Sequence, residues 1–282
     1  MIFQKADWIN SCQLFFTLNF PPASRQICME GLKQFPHGMI PLAQTKFRFF
    51  CHPGVKCFTV CCKNVDMILY PYDLVRLKQA LNVHSAQLLK QYIRLVKGEN
   101  PFFPTAMLKL SDDSEKSCPF LTASGCSVYV DRPSACRTYP LERAVDRKPE
   151  RRRNNEYYFL TRHSYCLGHC EERFYSVREW VRDQRLDNHN TMNELWTEID
   201  TLFAGNPWQG EGHGGAKQQL AFMVCYDIDS FRRLTEEKML IEQFAISKEI
   251  RRRISQEDGE LLKFGFEWLK LIFSGKSSLI RK

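Results

Sequence analysis

The chain has 282 residues, a net charge of +8, 44% hydrophobic and 13% aromatic residues, and a sequence pI near 8.9. That length and composition supply a real hydrophobic core, which excludes a low-complexity chain and one that needs disulfides in place of a core. The basic excess lies largely in "DRKPERRR", 146–153, and "EIRRRI", 249–254. With no aromatic RNA-binding signature and no helix-turn-helix pattern beside them, these runs read as solvated loops and helix faces, and nucleic acid is disfavoured as a partner.

Residues 1–40 read as a weakly patterned N-terminal extension, broken by "NFPPAS". The apolar run "WINSCQLFFTLNFPPAS", 8–24, is too short and too polar to span a bilayer, and no small-residue cleavage site follows it. No membrane span or export signal is read, so a bacterial-type cytoplasm is the expected compartment. Cys12 and Cys28 have no close partners in sequence and read as ordinary thiols.

Residues 41–175 carry the cysteines. Pro71 opens "PYDLVRLKQAL" at a position that suits the first helical turn, Asp73 suits its positive end, and Leu74, Leu77 and Leu81 form an apolar stripe. "HSAQLLKQYIRLV" predicts a second helix capped by Ser85. Residues 107–129 read as short strands around polar turns, with Gly125 at a tight bend, and "EYYFLTRHSYC", 156–166, as another strand. From 171 onward the pattern is helical: "EERFYSVREWVRDQRL", "TMNELWTEIDTLF", "AKQQLAFMVCYDIDSFRRL", "TEEKMLIEQFAI" and "GELLKFGFEWLKLIF". The glycine-rich "GNPWQGEGHGG", 205–215, lacks the lysine of a phosphate-binding loop and reads as a linker. The expected fold is α+β and predominantly α-helical. It has a loop-rich cysteine core with short hairpins over 41–175 and a helical region over 176–282.

Nine of the twelve cysteines lie between 51 and 170, beside Gly, Pro and polar residues rather than in apolar periods. In a reducing compartment such clusters point to metal or redox chemistry. Thiolate sulfur selects zinc, iron–sulfur clusters or copper(I). The first group is C-x5-C-x3-C-C, Cys51, Cys57, Cys61 and Cys62. Neighbours such as Cys61 and Cys62 diverge, so they serve different irons or different metals, or one ligates while the other packs. Cys118, Cys126 and Cys136 form a second group and Cys166 and Cys170 a third. Nine thiols exceed one tetrahedral zinc. They suffice for a four-cysteine cluster with surplus thiols or a second metal. A structural zinc knot and disulfides or inert thiols remain the alternatives. His52, His163 and His169 stand near cysteines, but each is read as a non-ligand, and Asp66 as a turn residue.

The segments "FRFFCHPGVKCFTVCC", "CPFLTASGCSVYVDRPSACRTYP" and "YCLGHC" closely resemble the YkgJ-like cysteine-cluster proteins, a zinc- or iron-chelating family. The resemblance spans about 50–170 and implies metal ligation by Cys51, Cys57, Cys61, Cys62, Cys118, Cys126 and Cys136. Cys166 and Cys170 extend that set by spacing. The first gap is longer than the family's C-x2-C-x2-C-C form. A related branch, the flagellin lysine N-methylases, joins a similar cluster to methyl transfer, but this chain shows no glycine-rich methyl-donor fingerprint. Arg132 and Arg137 flank Cys136 and are candidates to hydrogen-bond a cluster sulfur or an anion, or else to pair with Asp131 or Glu142. Tyr129 and Tyr139 read as packing over the site.

The favoured reading is a metal-binding protein with an iron–sulfur cluster, of the four-iron type, in electron transfer or sensing. The alternatives are a cluster-containing group-transfer enzyme and a zinc-stabilised interaction module, with a protein partner left open. Cys225 reads as core, so Cys225→Ser is expected to alter neither metal content nor stability.

Overall fold

In the computed structural model of the chain, the described residues are Phe35 and residues 39–146, 155–211 and 214–282. The stretches 1–34 and 36–38, which contain Cys12 and Cys28, and the basic stretch 147–154 lie outside them.

Strands come in pairs. In chain order they are β1 (Phe47–Arg48), β2 (Ile93–Val96), β3 (Thr105–Leu108), β4 (Leu121–Thr122), β5 (Gly125–Cys126), β6 (Leu141–Asp146), β7 (Asn155–Leu160) and β8 (Phe174–Tyr175). They form four two-stranded antiparallel sheets: β1 with β8, β2 with β3, β4 with β5, and β6 with β7. The helices are α1 (Pro71–Leu81), α2 (Ser85–Tyr92), α3 (Ser134–Thr138), α4 (Val177–Asp183), α5 (Asp187–Ala204), α6 (Ala216–Tyr226), α7 (Ile228–Glu237), α8 (Lys248–Gln256) and α9 (Asp258–Ser274). The fold is therefore α+β with a helical C-terminal region, as the pattern predicts. Among the described residues no helix is long and apolar enough to cross a membrane.

The chain divides into two compact units that interleave along the sequence. One contains the described residues up to Val60 together with Tyr139–Trp180; the other contains Cys61–Thr138 and Val181–Lys282. The first unit centres on aromatic rings. Phe49 meets Trp180 edge-on at 5.5 Å, and Trp180 meets Tyr175 at 5.0 Å. The β6–β7 hairpin runs in register from Leu141↔Leu160 to Asp146↔Asn155.

The second unit holds the larger core. Leu77 of α1 and Leu88 of α2 are fully buried with Ile199, Phe203, Leu261 and Leu269. Each such side chain contributes about 1.5–3 kcal/mol of burial relative to exposure. Phe103 lies at the aromatic centre, 4.5 Å from Phe203 and 5.7 Å from Tyr226 between ring centroids. Lys78 of α1 bonds Asp229 at 2.7 Å and Asp258 at 2.8 Å, which ties α1 to α7 and α9.

Four local expectations are corrected. Ser85 does not cap α2: His84 does, through Nδ1 accepting from Ala86 N–H, while the Ser85 hydroxyl bonds Asp227. The tail of that predicted helix, Ile93–Val96, is strand β2, because its backbone pairs with Thr105–Leu108. The long predicted helix over 216–234 breaks at Asp227, whose side chain caps α7 by accepting from Ser230 N–H. Similarly, "TEEKMLIEQFAI" is the end of α7 and a single turn at Ile241–Gln243.

Candidate metal centre

Five cysteines come together in the second unit. Cys61 and Cys62 lie in a single 3-10 turn, Val60–Cys62. The following chain is pinned against β3, with Leu69 N–H donating to Ala106 O at 2.9 Å and Leu108 N–H to Met67 O at 2.9 Å. Cys118 N–H donates to Cys62 O at 2.7 Å, so the two cysteine-bearing segments run side by side. Cys118 and Cys126 bracket the β4–β5 hairpin. Its tight turn needs the positive φ of Gly125 (120°), which a side chain would disfavour. Cys136 sits in α3, its sulfur 3.9 Å from Met67 Sδ.

The thiols sense one another. Cys62 donates its hydrogen to Cys61, which brings Cys61 down to about 7. Cys62 is correspondingly raised, by that bond, by burial and by Cys61, Cys118 and Cys136. Burial raises Cys118 and Cys126, opposed by backbone N–H groups: Phe120 and Leu121 at Cys118, and Val128 at Cys126. The Arg132 charge also favours the Cys126 thiolate. Cys136 is pushed up to about 12, by burial first and then by Cys118, Cys61 and Cys126. The residue as a whole is exposed, but its sulfur is crowded by Met67 and the neighbouring thiols, and crowding at the sulfur governs its ionisation.

Each neighbour thus resists a further negative charge, and a bound cation would reverse that sign. Amide N–H groups aimed at Cys118 and Cys126 sulfurs are the donors that stabilise a ligating thiolate. The donor set suits a soft metal. Among the described residues no group of three or more His, Cys, Asp or Glu side chains converges into a site ready to hold an ion. The five thiols are neighbours, not a closed shell.

The remaining candidates lie in the first unit. Cys57 Sγ accepts Leu167 N–H at 3.1 Å. Cys166 meets the Tyr139 hydroxyl, which burial and this contact raise well above its ordinary range. Cys51 is exposed. Cys170, expected as a ligand by spacing, has its sulfur in a disulfide. His52 bonds Glu171 at 3.1 Å. His163 stacks on Tyr139 and Tyr165. His169 is buried, with Nδ1 unpartnered, and burial brings it down to about 4.

Arg132 and Arg137 make neither expected ion pair. Arg132 donates to Tyr129 O at 2.7 Å and to the Gln184 side chain, and lies 3.9 Å over the Tyr129 ring. Arg137 donates to Gln184 O at 2.7 Å and to Val130 O. Asp131 pairs with Arg76 instead. Both arginines clamp the loop between Cys126 and Cys136. Tyr129 is 58% exposed, so it packs on Arg132 rather than covering the site.

Residues 51–167 match the family CxxCxxCC, described as a putative zinc- or iron-chelating domain. No curated protein and no solved structure matches the chain. The matched family is described as zinc- or iron-chelating, and the second unit holds five of the cysteines of the matched segment. The sequence reading missed a buried carboxylate, Asp73, that reaches the Cys136 helix. It read Asp73 as a helix-start residue only, and no spacing links it to Ser134 or His189.

Proposed function

We propose that the CxxCxxCC domain binds a soft metal centre through Cys61, Cys118, Cys126 and Cys136, with Cys62 as a hydrogen-bond donor to Cys61. The observation that carries this is the side-by-side run of the two cysteine-bearing segments, where Cys118 N–H donates to Cys62 O at 2.7 Å, within a stretch that matches a zinc- or iron-chelating family. Four thiolates match the requirement of a four-iron cluster, one per iron, and equally of a single tetrahedral zinc. A cluster would supply one-electron chemistry in transfer or sensing, and zinc would supply folding energy. Arg132 favours the charged form of Cys126, and in a cluster such a charge raises the potential.

The test is metal and acid-labile sulfide analysis, with a visible spectrum, on protein purified without air. Iron with matching sulfide supports the cluster. Zinc without sulfide moves the reading to a structural centre. Protein that holds neither metal after anaerobic purification and reconstitution sinks the proposal.

A further inference from the structure

Helix α3 (Ser134–Thr138) has only five residues, far below the length at which a helix holds itself in water. Cys136 lies on it, so something outside α3 must fix its position. At the C-terminal end, the Arg137 guanidinium grips Gln184 O and Val130 O. At the N-terminal end the grip is a single carboxylate from α1. Asp73 Oδ1 accepts Ser134 N–H at 2.8 Å and the Ser134 hydroxyl at 2.6 Å. Its other oxygen accepts Tyr70 N–H at 3.0 Å. His189 Nδ1, on α5, lies 3.2 Å from Ser134 Oγ and 3.5 Å from Asp73 Oδ1. Asp73 is 0% exposed, Ser134 6% and His189 5%. A carboxylate taken fully out of water is costly unless its lone pairs are filled. Here they are filled by donors that belong to the two cysteine-bearing segments and to α5.

We infer that Asp73 is a positioning residue for the metal centre, setting where Cys136 stands relative to Cys61. Asp73 belongs to the helix that follows the Cys61–Cys62 turn, and Ser134 precedes Cys136 by two residues. One side chain therefore spans the two halves of the thiol set. His189 Nδ1 stands 3.2 Å from the hydroxyl that Asp73 orients. The inference rests on the metal-centre reading above.

The test compares the full chain with Asp73→Asn and Ser134→Ala. Each protein is titrated with cobalt(II), read by thiolate-to-cobalt charge-transfer absorption, and with zinc(II), read by chelator competition. Asp73→Asn is expected to weaken zinc binding by about 10–100-fold, as for other outer-sphere partners of ligands, and to lower the charge-transfer intensity by one thiolate. Ser134→Ala keeps the Ser134 N–H bond to Asp73 and should fall between wild type and Asp73→Asn. A purely structural role would lower the melting temperature but leave the cobalt spectrum and the affinity of the folded fraction unchanged. That outcome in either folded variant overturns the inference while leaving the metal-centre reading standing. Wild-type protein that binds neither ion overturns both.

Discussion

The amide of Cys118 donates to the carbonyl of Cys62 at 2.7 Å. This bond lies beside the thiols themselves, so under the proposed function metal binding and local folding of these segments would be coupled. Cys61→Ser and Cys136→Ser are each expected to lower bound metal and the melting temperature together. Metal analysis alongside thermal unfolding checks this, and full retention of both in the two variants refutes it. Cys225 is the control, but not as its sequence pattern implies. It is 2% exposed in the core, so Cys225→Ser buries a hydroxyl at a cost of about 1–3 kcal/mol. Metal content should stay at the wild-type level.

His169 provides a pH signature. Its folded pKa lies at about 4, against an ordinary 6.5, because burial disfavours the imidazolium. Between those values the unfolded chain binds the proton and the folded chain does not. Stability therefore rises with pH across that window and falls on acidification from 6.5 toward 4. Denaturant midpoints measured through the window should drop more steeply for wild type than for His169→Gln. Parallel curves would refute the assignment.

Legibility in the sequence followed the range of the interaction. Helix α1 was readable because Pro71 and the Leu74, Leu77 and Leu81 stripe are local. The β4–β5 hairpin was readable because Gly125 marks its turn. The fate of Ile93–Val96 was not, since β3 and not its own period makes it a strand. Ser85 looked like a cap, but Asp227 and Asp229, on a later segment, compete for its hydroxyl and amide. The same holds at the site. Thiol clustering showed in spacing, whereas the division of the cysteines between two units, the disulfide at Cys170 and the reach of Asp73 to Ser134 depend on tertiary contacts.

Lys78 joins three helices through two carboxylates, and Arg232 bonds one of them, Asp258, at 2.8 Å. Lys78→Met would leave Asp229 with the Ser85 N–H and His84, and Asp258 with Arg232. The expected loss is about 3 kcal/mol, typical of breaking a mostly buried ion network from one side. Chemical denaturation gives the value directly; a loss near zero would mean that water replaces the ammonium.

Gly265 marks a close helix crossing. A Cβ there would stand 2.6 Å from Val224 Cγ1 and 2.8 Å from the Phe231 ring. Gly265→Ala therefore overpacks the contact of α9 with α6 and α7. It is expected to cost about 1–3 kcal/mol even though alanine is the better helix former. An unchanged or raised melting temperature would show that the helices can part without loss.

The interleaving of the two units has a consequence for biosynthesis. The ribosome releases Cys61 through Cys136 well before α9, on which α1 rests through Lys78 and Asp258. At ordinary elongation rates the interval is on the order of 10 seconds. During it the thiols are present without their finished scaffold, open to oxidation and to the wrong ion. Under the proposed function, a metal that arrives after the last helix has docked would meet the finished scaffold.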